Sequence, residues 1–233
     1  LKRQFQRVTE ASYILGVYYA VVEFVEVEAL DDYDVSPDEC LVDERLLDPW
    51  PGHWRDPIEI VVPGSGGHSF EREVGGRRVE FRVSGEGSGA SYRALLARAP
   101  SIPFERDGSL IRGLAEETSR SGVEYIMLYD SRGTLLVLEG GYLRVTIPFV
   151  KVVGSVHTHP EGSCGLSRKD VESGLDLLAE GGVFEASATP SCYFYMARTG
   201  GLSEEDYVRV KSMRGDVLEP LRLETIVFER GYY

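Results

Sequence analysis

Lysine is scarce in this chain, with four residues against twenty-one arginines, and basic charge as a whole is outnumbered. The 25 Lys and Arg face 38 Asp and Glu, for a formal net charge of −13. That balance speaks against a nucleic-acid partner, whose phosphates such a surface would repel. Cysteine is sparse as well. Cys40, Cys164 and Cys192 are odd in number and widely spaced, which does not suggest a disulfide framework. Long apolar runs are missing: the longest, Ala11 to Val22, covers twelve residues and includes Ser12. It is too short to span a bilayer, so no membrane association is expected. No export signal, repeat or low-complexity tract is visible, and the expected location is the cytoplasm. Hydrophobic (42%) and charged (27%) residues are balanced as in globular proteins, so the 233 residues can build one sizeable core or two small ones.

Histidine is the other rare residue. Two of only four, His157 and His159, fall in one tripeptide after Lys151–Val156, a run that reads as a strand. Residues i and i+2 of a strand share a face, so both imidazoles project together, and Pro160 ends the ladder. Ser167-x-x-Asp170 follows seven residues later and opens an amphipathic segment over 168–180, with Ser167 as N-cap and an acidic residue at N3. A helix start aimed at the strand end would bring Asp170 to the histidines. His157, His159 and Asp170 then form a three-ligand set of the kind catalytic zinc uses, with the fourth position open.

The array His157-Thr-His159-Pro160…Ser167-x-x-Asp170 resembles the JAMM (MPN+) metalloprotease motif, found in the deubiquitinating subunit of the proteasome lid and in archaeal and bacterial relatives. Cys164 and Leu166 match the loop of the proteasome-lid type, whereas Gly165 stands where that type carries Trp. The resemblance covers about residues 100–233. It implies a mixed sheet flanked by helices, an α-β-α sandwich, and a catalytic glutamate opening a strand that follows a helix. Glu124 fits: residues 107–121 read as a helix ended by Gly122, and Tyr125–Tyr129 as a buried strand. Glu116 and Glu117 are rivals that fall inside that helix.

By the same resemblance, Zn²⁺ would activate a water and polarise a carbonyl. Glu124 would move the proton and Ser167 would hydrogen-bond the developing oxyanion. The implied reaction is amide hydrolysis, first of an isopeptide joining a ubiquitin-like modifier to lysine, with a linear peptide bond as the alternative substrate. The short interval from Glu124 to His157 implies compact hairpins. Two other readings share the motif: a RadC-like hydrolase linked to DNA metabolism, and a non-catalytic scaffold subunit. The acidic balance opposes the first, and the complete ligand set the second.

Gly85–Gly89 reads as a linker, dividing the chain into a β-rich segment, 1–89, and the α+β segment, 90–233. In the first, strands are expected at Tyr13–Glu28 and Ile58–Val62, with a hairpin of Ser69–Val74 and Arg77–Val83 closed by Gly75-Gly76. Residues 31–57 form an acidic loop holding Trp50 and Trp54, read as pinned by its indoles. In the second segment, Tyr92–Ala99 reads as a helix and Ile102–Glu105 as a first strand. Strands follow at 134–139, 142–149, 151–159, 192–198 and 221–229, and a helix starts at Ser203. Cys164 is expected to be a packed or loop-shaping thiol. His53 and His68, in Pro/Gly-rich loops, are expected to be ordinary surface histidines.

Overall fold

Every residue from Ala11 to Val22 is buried, and in the computed structural model this run is a helix, α1 (Glu10–Glu23), not a strand. The structure describes residues 4–49, 54, 56–140, 151–160, 162 and 164–233. Thr9 caps α1: its Oγ1 accepts from Ser12 N at 3.0 Å while Ser12 Oγ accepts from Thr9 N at 2.8 Å. A helix apolar on all sides must be enclosed on all sides. Here α1 packs against both sheets of the molecule, which leaves none of its middle turns facing water. It runs on through a π-helical turn, Phe24–Glu28, into α2 (Ala29–Tyr33). The Val/Glu alternation that suggested a strand is therefore helical, with Val25 buried and Val27 half exposed. Buried Arg198 ion-pairs with Glu26 of this turn, and Tyr92 Oη donates to the same carboxylate at 2.6 Å.

The remaining elements are β1 (Gln4–Arg7), β2 (Leu41–Val42), β3 (Ile58–Val61), β4 (His68–Val74), β5 (Arg77–Ser84) and β6 (Ala90–Ser91), then α3 (Tyr92–Arg98), α4 (Ile102–Arg106) and α5 (Gly108–Ser121). After them come β7 (Tyr125–Asp130), β8 (Leu135–Glu139), β9 (Val152–Thr158), α6 (Arg168–Ala179), β10 (Phe184–Ala188), β11 (Cys192–Arg198), α7 (Glu204–Ser212), β12 (Leu221–Arg222) and β13 (Ile226–Tyr232). They build two mixed sheets. One has the order β1-β8-β7-β9-β10-β11-β13-β12 and the other β4-β5-β3-β2-β6. The class is mixed α+β.

Several expectations hold. The β4–β5 hairpin closes on Gly75 and Gly76, both at positive φ (57° and 74°), the backbone a tight primed turn requires. Helices α3, α5, α6 and α7 lie where their caps and periodicity placed them. Others need correction. Ile102–Glu105 is helical (α4), with Pro103 in its first turn, where the missing N–H costs nothing. One edge of the larger sheet is instead β1, paired with β8. The closing strand is two strands, β12 and β13. Strand β10 was not anticipated, and the expected 142–149 strand lies outside the described residues. Gly85–Gly89 connects β5 and β6 of one sheet instead of leading out of it. The segment 1–89 thus contributes to both sheets and is helical over α1 and α2. Trp54 is half-buried against Tyr13 (ring centroids 5.6 Å), anchoring its loop as expected; Trp50 and His53 lie outside the described residues.

The larger sheet separates two apolar clusters. On one face Val156, Ala186, Ala188, Ala197 and Val227 pack with α1, α3, α4 and α5. On the other, Phe194, Met196, Ile226 and Phe228 pack with Val171, Leu175 and Leu178 of α6 and Val210 of α7. Strand alternation sorts neighbouring residues into these two layers. Among the described residues, no helix is long and apolar enough to cross a membrane.

Candidate metal centre

Strand β9 sits mid-sheet, antiparallel to β7 and parallel to β10. Ser155, His157 and His159 share the face covered by α6. His157 is buried and His159 half-buried, its N–H donating to Ala188 O at 2.8 Å. Helix α6 begins with a reciprocal cap: Ser167 Oγ accepts from Asp170 N at 3.3 Å, and Asp170 Oδ2 accepts from Ser167 N at 2.7 Å. The same carboxylate turns toward the histidines, so the capping reading of Ser-x-x-Asp holds and Asp170 also faces both imidazoles.

The donor spacing tests whether these groups suit one ion. His157 Nε2 and His159 Nε2 are 2.9 Å apart, His157 Nε2 and Asp170 Oδ1 3.3 Å, and His159 Nε2 and Asp170 Oδ2 3.4 Å. Tetrahedral bonds of about 2.0–2.1 Å place donors roughly 3.3 Å apart. The set fits, and His157, His159 and Asp170 could hold a metal ion.

Electrostatics agree. Burial alone would lower the basicity of His157, but its hydrogen bonds with Asp170 and Glu185 outweigh this and push its pKa up to about 10. Burial alone would raise Asp170; the hydrogen bonds it receives from His157 and His159 hold it well below the usual carboxylate range instead. Carboxylates thus flank His157 on both of its ring nitrogens. Two carboxylates beside the imidazoles, those of Asp170 and Glu185, suit a cation.

Glu124 and Ser167 reach the same place. A cavity of about 500 Å³ is lined by Glu124, His159, Pro160, Gly162, Ser167, Lys169 and Asp170. Ile126 pairs with His157, so two residues further along that antiparallel register Glu124 lies across from His159, on the ligand face. Thr158, between the two ligands, points the opposite way and fixes this alignment. Its Oγ1 accepts from Tyr125 N at 2.8 Å and bonds Thr118 Oγ1 of α5 at 2.6 Å. The rival Glu116 pairs with Arg112 on α5, and neither it nor Glu117 lines the cavity. His68 is exposed beside Tyr33, a surface histidine as expected, but it opens β4 instead of lying in a loop.

Sequence reasoning missed two members. Lys169 lines the cavity mouth. Glu185, on β10, is buried with Oε1 at 2.9 Å from His157 Nδ1. Its only sequence signal is an acidic residue inside a short run of small and apolar ones.

Cys164 requires a correction. It is not a free thiol but is joined to Cys192 by a disulfide across 28 residues. The fold makes the pair: Ser187 Oγ of β10 donates to Gly165 O at 2.8 Å, which docks the motif loop beside the start of β11. Leu166 adds backbone bonds to Val217. Cys40 is the free cysteine, and it is buried.

No family model, curated protein or solved structure matches the chain.

Proposed function

We propose that this chain is a zinc-dependent amide hydrolase of the JAMM type, acting on isopeptide bonds that join a ubiquitin-like modifier to lysine. The observation that carries the reading is the three-donor set spaced for one ion, in a cavity that Glu124 and Ser167 also line. Two histidines and a carboxylate leave one position open, the donor chemistry of catalytic rather than structural zinc. A zinc ion held there would supply a Lewis acid and a water acidic enough to attack near neutral pH. Glu124, a solvent-reached carboxylate at that cavity, takes the proton from the attacking water and hands it to the leaving amine. Ser167 accepts Asp170 N–H with its lone pair, which leaves its hydroxyl hydrogen free to donate to the developing oxyanion. One such donor contributes about 3 kcal/mol of transition-state stabilisation.

The test is incubation of the zinc-loaded protein with a panel of ubiquitin-like proteins linked through their C-terminal glycine to lysine, with and without chelator, read by intact mass. Cleavage that needs the metal is expected. Glu124→Gln should abolish it with zinc retained, whereas Asp170→Asn should lose zinc. A protein that binds zinc and leaves every conjugate intact overturns the isopeptidase reading, and activity surviving in Glu124→Gln places the base elsewhere.

A further inference from the structure

We infer that Glu185 is a positioning residue of the metal centre, holding His157 in the tautomer that presents Nε2 as a ligand. The inference rests on His157, His159 and Asp170 binding a metal, and names the residue that prepares the most buried of the three.

An imidazole can bind a metal through either nitrogen, and the hydrogen bond made by the other decides which. Glu185 Oε1 lies 2.9 Å from His157 Nδ1. A carboxylate only accepts, so Nδ1 carries the hydrogen and the Nε2 lone pair is left for the ion. Nε2 is the atom turned toward His159 and Asp170. The carboxylate is itself fixed, because its second oxygen, Oε2, accepts from Ser155 Oγ, and both groups are buried. Register supports the arrangement: Glu185 pairs with Ser155 in the parallel β9–β10 ladder, so its side chain emerges on the ligand face one step from His157.

Nothing in core packing calls for this acid. Its methylenes face Gly174 of α6 beside Met196, and a buried carboxylate is costly unless every oxygen is occupied. Glu185 has both oxygens occupied, and one of the two partners is a ligand. Carboxylate–histidine pairs of this kind set ligand orientation and basicity, and losing one lowers metal affinity about 10–100-fold.

The experiment measures zinc affinity of the full chain by competition with a chromophoric chelator, alongside the visible spectrum of the cobalt-substituted protein. Glu185→Met, of similar length and apolar, should bind zinc about 10–100-fold more weakly and broaden the cobalt spectrum. Glu185→Gln, which keeps an acceptor for Nδ1–H, should restore most of the affinity. In the unaltered zinc-loaded protein, nitrogen NMR of the histidines should show His157 protonated at Nδ1; this reading stands even where Glu185→Met fails to fold. Wild-type affinity in Glu185→Met, or a hydrogen on Nε2 of His157, overturns the assignment while leaving the metal site intact. A parent chain that binds no zinc overturns both.

Discussion

Gly174→Ala sets two well-understood effects against each other. Gly174 lies one helical turn after Asp170 in α6, on the side that meets β10. A methyl group there would fall 2.7 Å from Glu185 Cβ, 2.9 Å from Glu185 Cγ and 2.7 Å from Met196 Cε. Carbon atoms rest at about 3.5–4.0 Å, so the shortfall approaches 1 Å. The tip of Met196 can swing aside, but Glu185 Cβ is fixed to a central strand. Helix α6 must therefore lift. Helix propensity alone favours alanine over glycine by about 1 kcal/mol. Overpacking of a filled interface costs about 1–3 kcal/mol, and the contact is with backbone-anchored atoms, so packing wins. We expect a net loss of about 1 kcal/mol, seen as a Tm lowered by about 2–4 °C. Asp170, at i−4 on the same helix face, moves with the helix, so zinc affinity should drop about tenfold or more. Thermal melts of the metal-free protein and chelator competition read the two effects. A raised Tm with unchanged affinity would refute the reasoning, since it would mean that α6 does not rest on Glu185 as described.

Two further outcomes are expected. With the His157 pKa raised from 6.5 to about 10 and Asp170 held below the usual carboxylate range, the pairing stabilises the metal-free fold most from just above that range to about pH 6.5, fading as pH rises toward 10 and again as Asp170 takes a proton in acid. Zinc must displace the proton on His157, so affinity should climb with pH across this window, with about one proton released per ion near neutrality. Calorimetry in buffers of different ionisation enthalpy measures the release, and none would show the site to be unprotonated beforehand. Cys192→Ser removes a cross-link closing a loop of 28 residues, worth about 3–4 kcal/mol in the chain-entropy account. Its Tm should fall below that of the oxidised parent and match that of the reduced parent, whereas equal melting of all three forms would mean that the link restrains nothing.

Sequence legibility followed how local each signal was. The β4–β5 hairpin, the α5 and α6 boundaries and the placement of His157, His159 and Asp170 rest on spacings of two to four residues, and all were readable. What failed depended on partners far along the chain. α1 shows no amphipathic period because both sheets enclose it, so its aromatic and β-branched residues read as a strand although Thr9 and Ser12 already carried a cap. β10 is five residues with two alanines and a serine, too short and mixed to announce itself, and Glu185 was lost with it. The Cys164–Cys192 link was hidden because 28 residues and a crossover separate two thiols that meet only in the folded sheet.

Thr158 gives β9 a double duty. Its neighbours on either side look toward chemistry, while its own hydroxyl is spent tying α5 and the start of β7 into the interior. The span between the two imidazoles and the Glu124 carboxylate is therefore gauged by a buried threonine side chain that points away from both. A valine in its place would leave the imidazole pair intact and let the carboxylate wander, a fault visible in turnover but silent in a metal assay.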